Sequence, residues 1–252
     1  MNINLTNHKK QIMKTLTKIT VLLLLLISTT SCFIDGFSGI KGNRNVVSEN
    51  RTITTDFNEI KVQQGIQLFI TQDNTTKINV EADENIIELL ITEVKDNQLK
   101  IYFEKNVYRA KARNVYLSTA TINKIKASSG ASVKSENTFQ TSTLDLDASS
   151  GSSIKITVNA DAITSETSSG ATIKVYGKSK TFSGQASSGS AIDADELEAV
   201  DVYAQASSGA NINVNASGKL TAKASSGGDI DYEGSPTNID KNTSSGGSVS
   251  GS

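Results

Sequence analysis

The carboxylates of this chain come in closely spaced sets: Asp145 with Asp147, Asp193 with Asp195, Glu196 and Glu198 near Asp201, and Asp229 with Asp231. Acids that converge on one exterior groove are the equipment of a polysaccharide-cleaving enzyme, which places two of them across a glycosidic bond. Asp193 and Asp231 each stand four residues after a glycine of an internal repeat, and Asn213 holds the same place between them. On stacked strands they would lie two rungs, about 10 Å, apart, too far for a retaining pair. Calcium would use the same acids, but neither a Gly-Gly-x-Gly-x-Asp run nor EF-hand spacing occurs; Gly227-Gly228-Asp229-Ile230-Asp231 is the nearest approach. Lys134, Lys155 and Lys174 share one offset from successive glycines. They predict a short basic ladder that an anion could bridge or that simply faces solvent.

Serine is abundant as Ser-Ser-Gly, but the fourteen serines of these triplets have no histidine or positioned lysine to activate a hydroxyl. No Walker lysine follows the glycines, so phosphate binding by a glycine loop is not indicated either. The aromatics, Tyr102, Phe103, Tyr108, Tyr116, Tyr176, Phe182, Tyr203 and Tyr232, are scattered over both faces of the strand pattern. A sugar-stacking platform would want them in a row. The residues thus predict no catalytic group, no metal site and no cofactor.

What positions these side chains is the repeat itself. Ser-Ser-Gly occurs seven times, ending at Gly130, Gly151, Gly170, Gly189, Gly209, Gly227 and Gly246, at spacings of 21, 19, 19, 20, 18 and 19. A period near 20 residues marks a stacked repeat in which each unit buries its apolar face only against its neighbours. Odd offsets from each glycine are apolar or small and even ones polar, the period of a strand. Three residues after the glycines stand Val133, Ile154, Ile173, Ile192, Ile212, Ile230 and Val249. Small residues flank each glycine at the inward offsets, which predicts a narrow interior, with the glycine turning the chain between strands. On this parity the second serine of each triplet points inward and the first outward. The fold class is therefore all-β: a single-stranded parallel β-helix, or β-solenoid, of about 20 residues per coil over residues 127–252. From residue 46 to 126 the alternation continues without the triplet, broken at 83–90 by a clustered stretch that suggests a helical turn or cap.

Residues 1–31 read as a lipoprotein signal peptide: Lys9, Lys10, Lys14 and Lys18 precede the apolar run Val21–Ile27, and small residues lead to Cys32. The apolar run is too short to span a bilayer. Cys32 is the one cysteine and stands where such a signal places the lipidated residue; Met13 is an alternative start. Residues 32–45 then form a lipidated cysteine and a Gly- and Asn-containing tether. Removing residues 1–31 leaves 21 basic and 26 acidic residues, net −5, with no histidine. That balance offers no footprint for nucleic acid.

The segments Phe57-Asn58-Glu59-Ile60-Lys61-Val62, Gly65-Ile66-Gln67-Leu68, Val80-Glu81-Ala82-Asp83-Glu84-Asn85 and Asn97-Gln98-Leu99-Lys100-Ile101, with the triplet series, resemble the putative auto-transporter adhesin head GIN domain family. The resemblance runs from about residue 46 to 252 and implies a parallel β-helix on a Bacteroidetes-type envelope lipoprotein. It brings no catalytic residues. The sequence thus predicts a non-enzymatic, lipid-anchored module of the cell envelope that binds a glycan or envelope protein. It would sit in the outer membrane, on the periplasmic side because no acidic run follows Cys32. The alternatives are self-association through the terminal rung and, last, a polysaccharide-active enzyme.

Overall fold

A computed structural model describes residues 39–251. The targeting segment and Cys32 lie outside the described residues. From Lys41 onward the chain forms one unit, and nearly all of it is strand.

The β-branched column fixes the stacking. Val133, Ile154, Ile173, Ile192, Ile212, Ile230 and Val249 are direct cross-strand neighbours, each pairing in parallel with the next. The coils are thus in register with the triplets, and the structure is a β-solenoid of about seven turns some 19 residues apart. The strands Ser132–Ala148, Ser153–Thr167, Thr172–Ala186 and Ala191–Ala206 each bend around most of a coil. Two lines of contact result, one N-terminal and one C-terminal in every coil. Uneven spacings are absorbed at one corner, where the register shifts after Lys134 and between Ala194 and Glu198. Extra residues bulge there while the inward positions keep their neighbours. The interior is correspondingly dry: Ile154, Ile156, Ile173, Val175, Ile192 and Ile212 are all buried.

The triplet geometry differs from expectation at one residue. Each glycine and the serine before it have positive φ, as at Ser169 (52°) and Gly170 (70°), and Ala171 N–H donates to Ser168 O at 3.2 Å. Two successive positive-φ residues closed by that bond are the central pair of a type I′ turn. The second serine therefore sits at the exposed turn tip rather than pointing inward. Strand parity predicts the wrong side because the turn interrupts the pleat. The inward small residue is the one after the glycine, such as Ser152 or Ser190, whose hydroxyls are buried and bonded to Ala127 O (2.8 Å) and Thr167 Oγ1 (2.9 Å). Turn backbones are also laddered, with Gly151 N–H donating to Ser169 O and Gly170 N–H to Ser188 O.

A Cβ at Gly170 would have open space around it, so the demand is conformational; at Gly228 it would stand 2.5 Å from Ala206 O, so the demand is steric. Gly170→Ala is expected to cost about 1–2 kcal/mol, the penalty of left-handed backbone, and Gly228→Ala more. Paired denaturant melts measure the difference.

At the other end the coil order departs from chain order. Strands Glu59–Val62 and Gln67–Gln72 pair on one side with Lys124–Ala127 and Ser132–Ala148, and on the other with Gln98–Phe103 and Arg113–Thr119. The first coil in sequence is thus inserted between the second and third. Beyond the coil at 98–119 the pairing turns antiparallel: Leu90–Lys95 on Gln98–Phe103, Lys77–Asp83 on Arg113–Thr119, and Val46–Arg51 outermost. The clustered stretch supplies a 3-10 turn, Ile87–Leu89, with Ile86 and Leu90 fully buried. Within the expected tether, residues 42–45 are fastened to this end: Gly42 N–H donates to Tyr108 O, Arg44 N–H to Asp83 Oδ2, and Asn45 O accepts from Glu84 N–H.

In the last described coil the inward column changes character. Lys241 follows Ala222 in register, and its ammonium lies 4.5 Å from the centroid of the Tyr232 ring. A charge at an inward position of an edge strand opposes further strand addition. Lys241→Val is expected to shift the sedimentation profile toward larger species relative to the parent; an unchanged profile removes that role.

Candidate functional site

Because the register is regular, exterior side chains line up in columns along the axis. One column joins Tyr116, Phe69, Lys134, Lys155, Lys174, Asp193, Asn213 and Asp231. The expected lysine ladder is here, but each lysine is already engaged. Lys134 is 3.0 Å from Glu136, Lys155 lies over the Tyr176 ring at 5.2 Å, and Lys174 is 2.5 Å from Asp193. The hydrogen bond to Asp193 holds the Lys174 ammonium above its ordinary pKa. Two of the three charges are thus offset by carboxylates, and the third, Lys155, lies against a ring.

Asp193 and Asp231 stand two rungs apart with Asn213 between, as the repeat predicts. The coupled carboxyls are instead Asp193 and Asp195. Burial pushes both upward; contacts with Lys174 bring Asp193 below its ordinary value, and burial together with the neighbouring Asp193 holds Asp195 above its own. The other acids have plain partners. Asp145 and Asp147 face Lys124 (3.6 Å) and Lys126 (3.9 Å), Glu198 faces Lys178 (2.9 Å), and Asp229 and Asp231 accept from Ser248 and Ser250. Among the described residues no group of three or more acidic, His or Cys side chains is arranged to hold a metal. Phe69 and Tyr116, unlike the scatter read from sequence, are neighbours in one column, stacked at 5.1 Å and 14°. Their ring faces are turned to each other.

The opposite line of contact carries the first serines. Ser128, Ser149, Ser168, Ser187, Ser207, Ser225 and Ser244 follow one another, each backbone N–H donating to the coil before. None of the fourteen triplet hydroxyls has a hydrogen-bond partner within the described chain. Beside this row runs a second column, Lys100, Lys61, Lys126, Asp147, Glu166, Gln185 and Gln205. The two rows enclose a shallow groove of about 270 Å³ between Gln185, Gln205 and the serines at 168, 187 and 207. At its far end a second hollow of about 260 Å³ is bounded by Lys61, Gln63, Glu93, Lys100 and Tyr102. Gln205 Oε1 accepts from Tyr203 Oη at 2.6 Å, which leaves its Nε2 donors, the Gln185 amide and the serine hydroxyls, at a rung spacing of about 4.8 Å, to hydrogen-bond an extended polar polymer along its length. The cross-strand pairing of Lys61 with Lys100 is not among the sequence expectations. Their signal is present: Glu59-Ile60-Lys61-Val62, Gln98-Leu99-Lys100-Ile101 and Lys124-Ile125-Lys126-Ala127 repeat polar–aliphatic–Lys–aliphatic.

A stacked β-coil with register-built exterior columns defines the class: a β-solenoid that presents side-chain ladders. The sequence signature of the putative auto-transporter adhesin, head GIN domain, matches residues 56–236, and the chain belongs to that family. Solved structures share the fold. A putative adhesin from Bacteroides fragilis NCTC 9343 is 22% identical, with a TM-score of 0.79 over 85% of this chain and 100% of its own. A putative adhesin from Parabacteroides merdae ATCC 43184 is 19% identical, TM-score 0.69, over 84% and 98%. A protein described as a putative lipid binding protein, from Parabacteroides distasonis ATCC 8503, is 20% identical, TM-score 0.66, over 84% and 99%. No curated protein matches.

Proposed function

We propose that this chain is a non-enzymatic binding module of the bacterial cell envelope, lipidated at Cys32, held in the outer membrane on its periplasmic side, and engaging an envelope glycan through the serine face. The observation that carries the reading is the serine row itself: seven turns present hydroxyls with no internal partner, beside a groove lined by amides and carboxylates. Such groups match the hydroxyls of a carbohydrate without supplying an activated nucleophile. The adhesin-type names carried by the family and by its structural relatives support binding in general terms. Their names do not say what is bound.

The purified full chain is expected to retain immobilised envelope glycans in a broad array, and Gln185→Ala with Gln205→Ala is expected to lose most of that retention. An array with no retained component ends the binding reading. Labelled palmitate is expected on the parent and not on Cys32→Ala. Protease added to whole cells should leave the chain intact until the outer membrane is opened; digestion on intact cells would place it outside.

A further inference from the structure

The lysines of this solenoid are mostly paired, and Lys61 and Lys100 stand out because they are unpaired side by side. Along the regular coils most lysines have a partner on a neighbouring rung or strand: Lys124 and Lys126 have aspartates, Lys155 and Lys223 have tyrosine rings, and Lys174 and Lys178 have acids, while the Lys219 ammonium has none within the described chain. Lys61 and Lys100 have none either. They are direct cross-strand neighbours on the parallel strands Glu59–Val62 and Gln98–Phe103, about 4.8 Å apart along the axis, and neither has an ion-pair or hydrogen-bond partner within the described chain. Lys126, next in the column after Lys61, reaches away from them to Asp147 at 3.9 Å. Glu93, across from Lys100 on the antiparallel side, accepts from Tyr102 Oη at 3.1 Å. Like charges placed directly opposite one another destabilise a sheet. Glu93 offsets part of this repulsion from its place opposite Lys100, and with two lysines to one carboxylate the hollow keeps a positive balance.

The two ammonium groups edge the hollow of about 260 Å³ that Gln63, Glu93 and Tyr102 also line, so that one carboxylate already faces the two lysines there. Gln63 directly precedes Ser128 in the serine row, since Gln63 N–H bonds Ile101 O on one side and Ser128 N–H bonds Val62 O on the other. The hollow is therefore the end of the same track whose middle is the Ser–Gln groove, and the charge along the track is uneven. It is positive at Lys100, Lys61 and Lys126, negative at Asp147 and Glu166, neutral at Gln185 and Gln205, and positive again at Lys223. A uniformly anionic polymer would be repelled at Asp147 and Glu166. A mixed glycan fits: one acidic sugar between the two lysines, with neutral sugars offering hydroxyl donors to the carboxylates and running on to the amides and serines.

Resting on the glycan-binding reading above, we infer that the Lys61–Lys100 pair is a subsite for the carboxylate of an acidic sugar within a mostly neutral oligosaccharide lying along the serine track.

The test compares a xylo-oligosaccharide bearing one glucuronate with the same oligosaccharide lacking it, titrated calorimetrically into the full chain. Two ion pairs at a half-exposed site should favour the acidic ligand by about tenfold at low ionic strength, and the preference should collapse in about 0.5 M salt as screening shortens. Lys61→Gln with Lys100→Gln should lower the preference to under about twofold and leave affinity for the neutral oligosaccharide unchanged. The thermal midpoint of that variant should hold or rise, because a like-charge contact is removed; a fall would make the lysines structural and overturn the subsite. Equal affinity for the two ligands, or a preference kept by the double variant, overturns the subsite and leaves glycan binding intact. Binding of neither ligand overturns both.

Discussion

Ile173→Ala is expected to lower the free energy of unfolding by about 2–5 kcal/mol, the range for removing a fully buried isoleucine side chain to its β-carbon. Ile173 is 0% exposed and lies between Ile154 below and Ile192 above in the inward column. Stacked coils touch only their neighbours, so a cavity in a central coil weakens two interfaces and divides the array. The same kind of deletion at Val249, in the last described coil and only partly buried, should cost about 1 kcal/mol or less because the side chain already meets solvent. Denaturant melts of both variants give the comparison. Hydrogen exchange on Ile173→Ala should show faster opening on both sides of residues 172–186. Equal losses at the two sites would mean that the solenoid unfolds as one unit whose coils are not locally autonomous.

That contrast rests on features the sequence carries openly. The column from Val133 to Val249 is spaced as the triplets are, and the coil register reproduces it pair by pair. Periodicity is legible where every coil repeats one local grammar, because the same side chain recurs in the same surroundings. Two things escaped it. Parity points the second serine inward, whereas a type I′ turn takes that residue out of the pleat; parity holds only while the chain stays extended. The insertion of the strands at 59–72 between the coils at 98–119 and 124–148 is a matter of long-range pairing. No local pattern distinguishes it from a stack in chain order.

The candidate site was legible in its inventory and not in its pairing. Lys134, Lys155 and Lys174 share an offset and do share a column, but their partners Glu136, Tyr176 and Asp193 come from three different relations: two residues on, the rung above at another offset, and the rung above in register. Whether a lysine is free depends on all of these at once. For Lys61 and Lys100 the repeated polar–aliphatic–Lys text was present, and what it lacked was the knowledge that the two segments are adjacent. Cross-strand adjacency sets the two like charges side by side, with a single carboxylate, Glu93, opposite Lys100.

Asp83→Ala is expected to cost roughly 3 kcal/mol at neutral pH, since it strips the acceptor from three backbone donors of which one is buried. Asp83 is 0% exposed. It accepts from Arg44 N–H at 2.8 Å, Lys111 N–H at 2.9 Å and Ala112 N–H at 3.0 Å. Burial alone would raise the carboxyl pKa, but these three hydrogen bonds together hold it below the ordinary aspartate value. The carboxylate thereby ties residue 44 and residues 111–112 to the end of Lys77–Asp83, locking the antiparallel strands over the coil at 98–119. The sign of the pH effect follows from the lowered value. A carboxyl whose folded pKa lies below its unfolded one, near 3.9, contributes its full stabilisation above the unfolded pKa and loses it as pH falls through the folded one. The gap between parent and Asp83→Ala should be widest above about pH 5 and shrink below about pH 4. Asp83→Asn keeps the size and one acceptor oxygen but turns an amide donor toward Arg44 N–H or the Lys111–Ala112 pair, so it should fall between the two and show a flatter pH profile. Urea melts of the three proteins at pH 7 and pH 3 decide it: a gap that stays constant with pH would assign the stabilisation to packing and not to the charged acceptor.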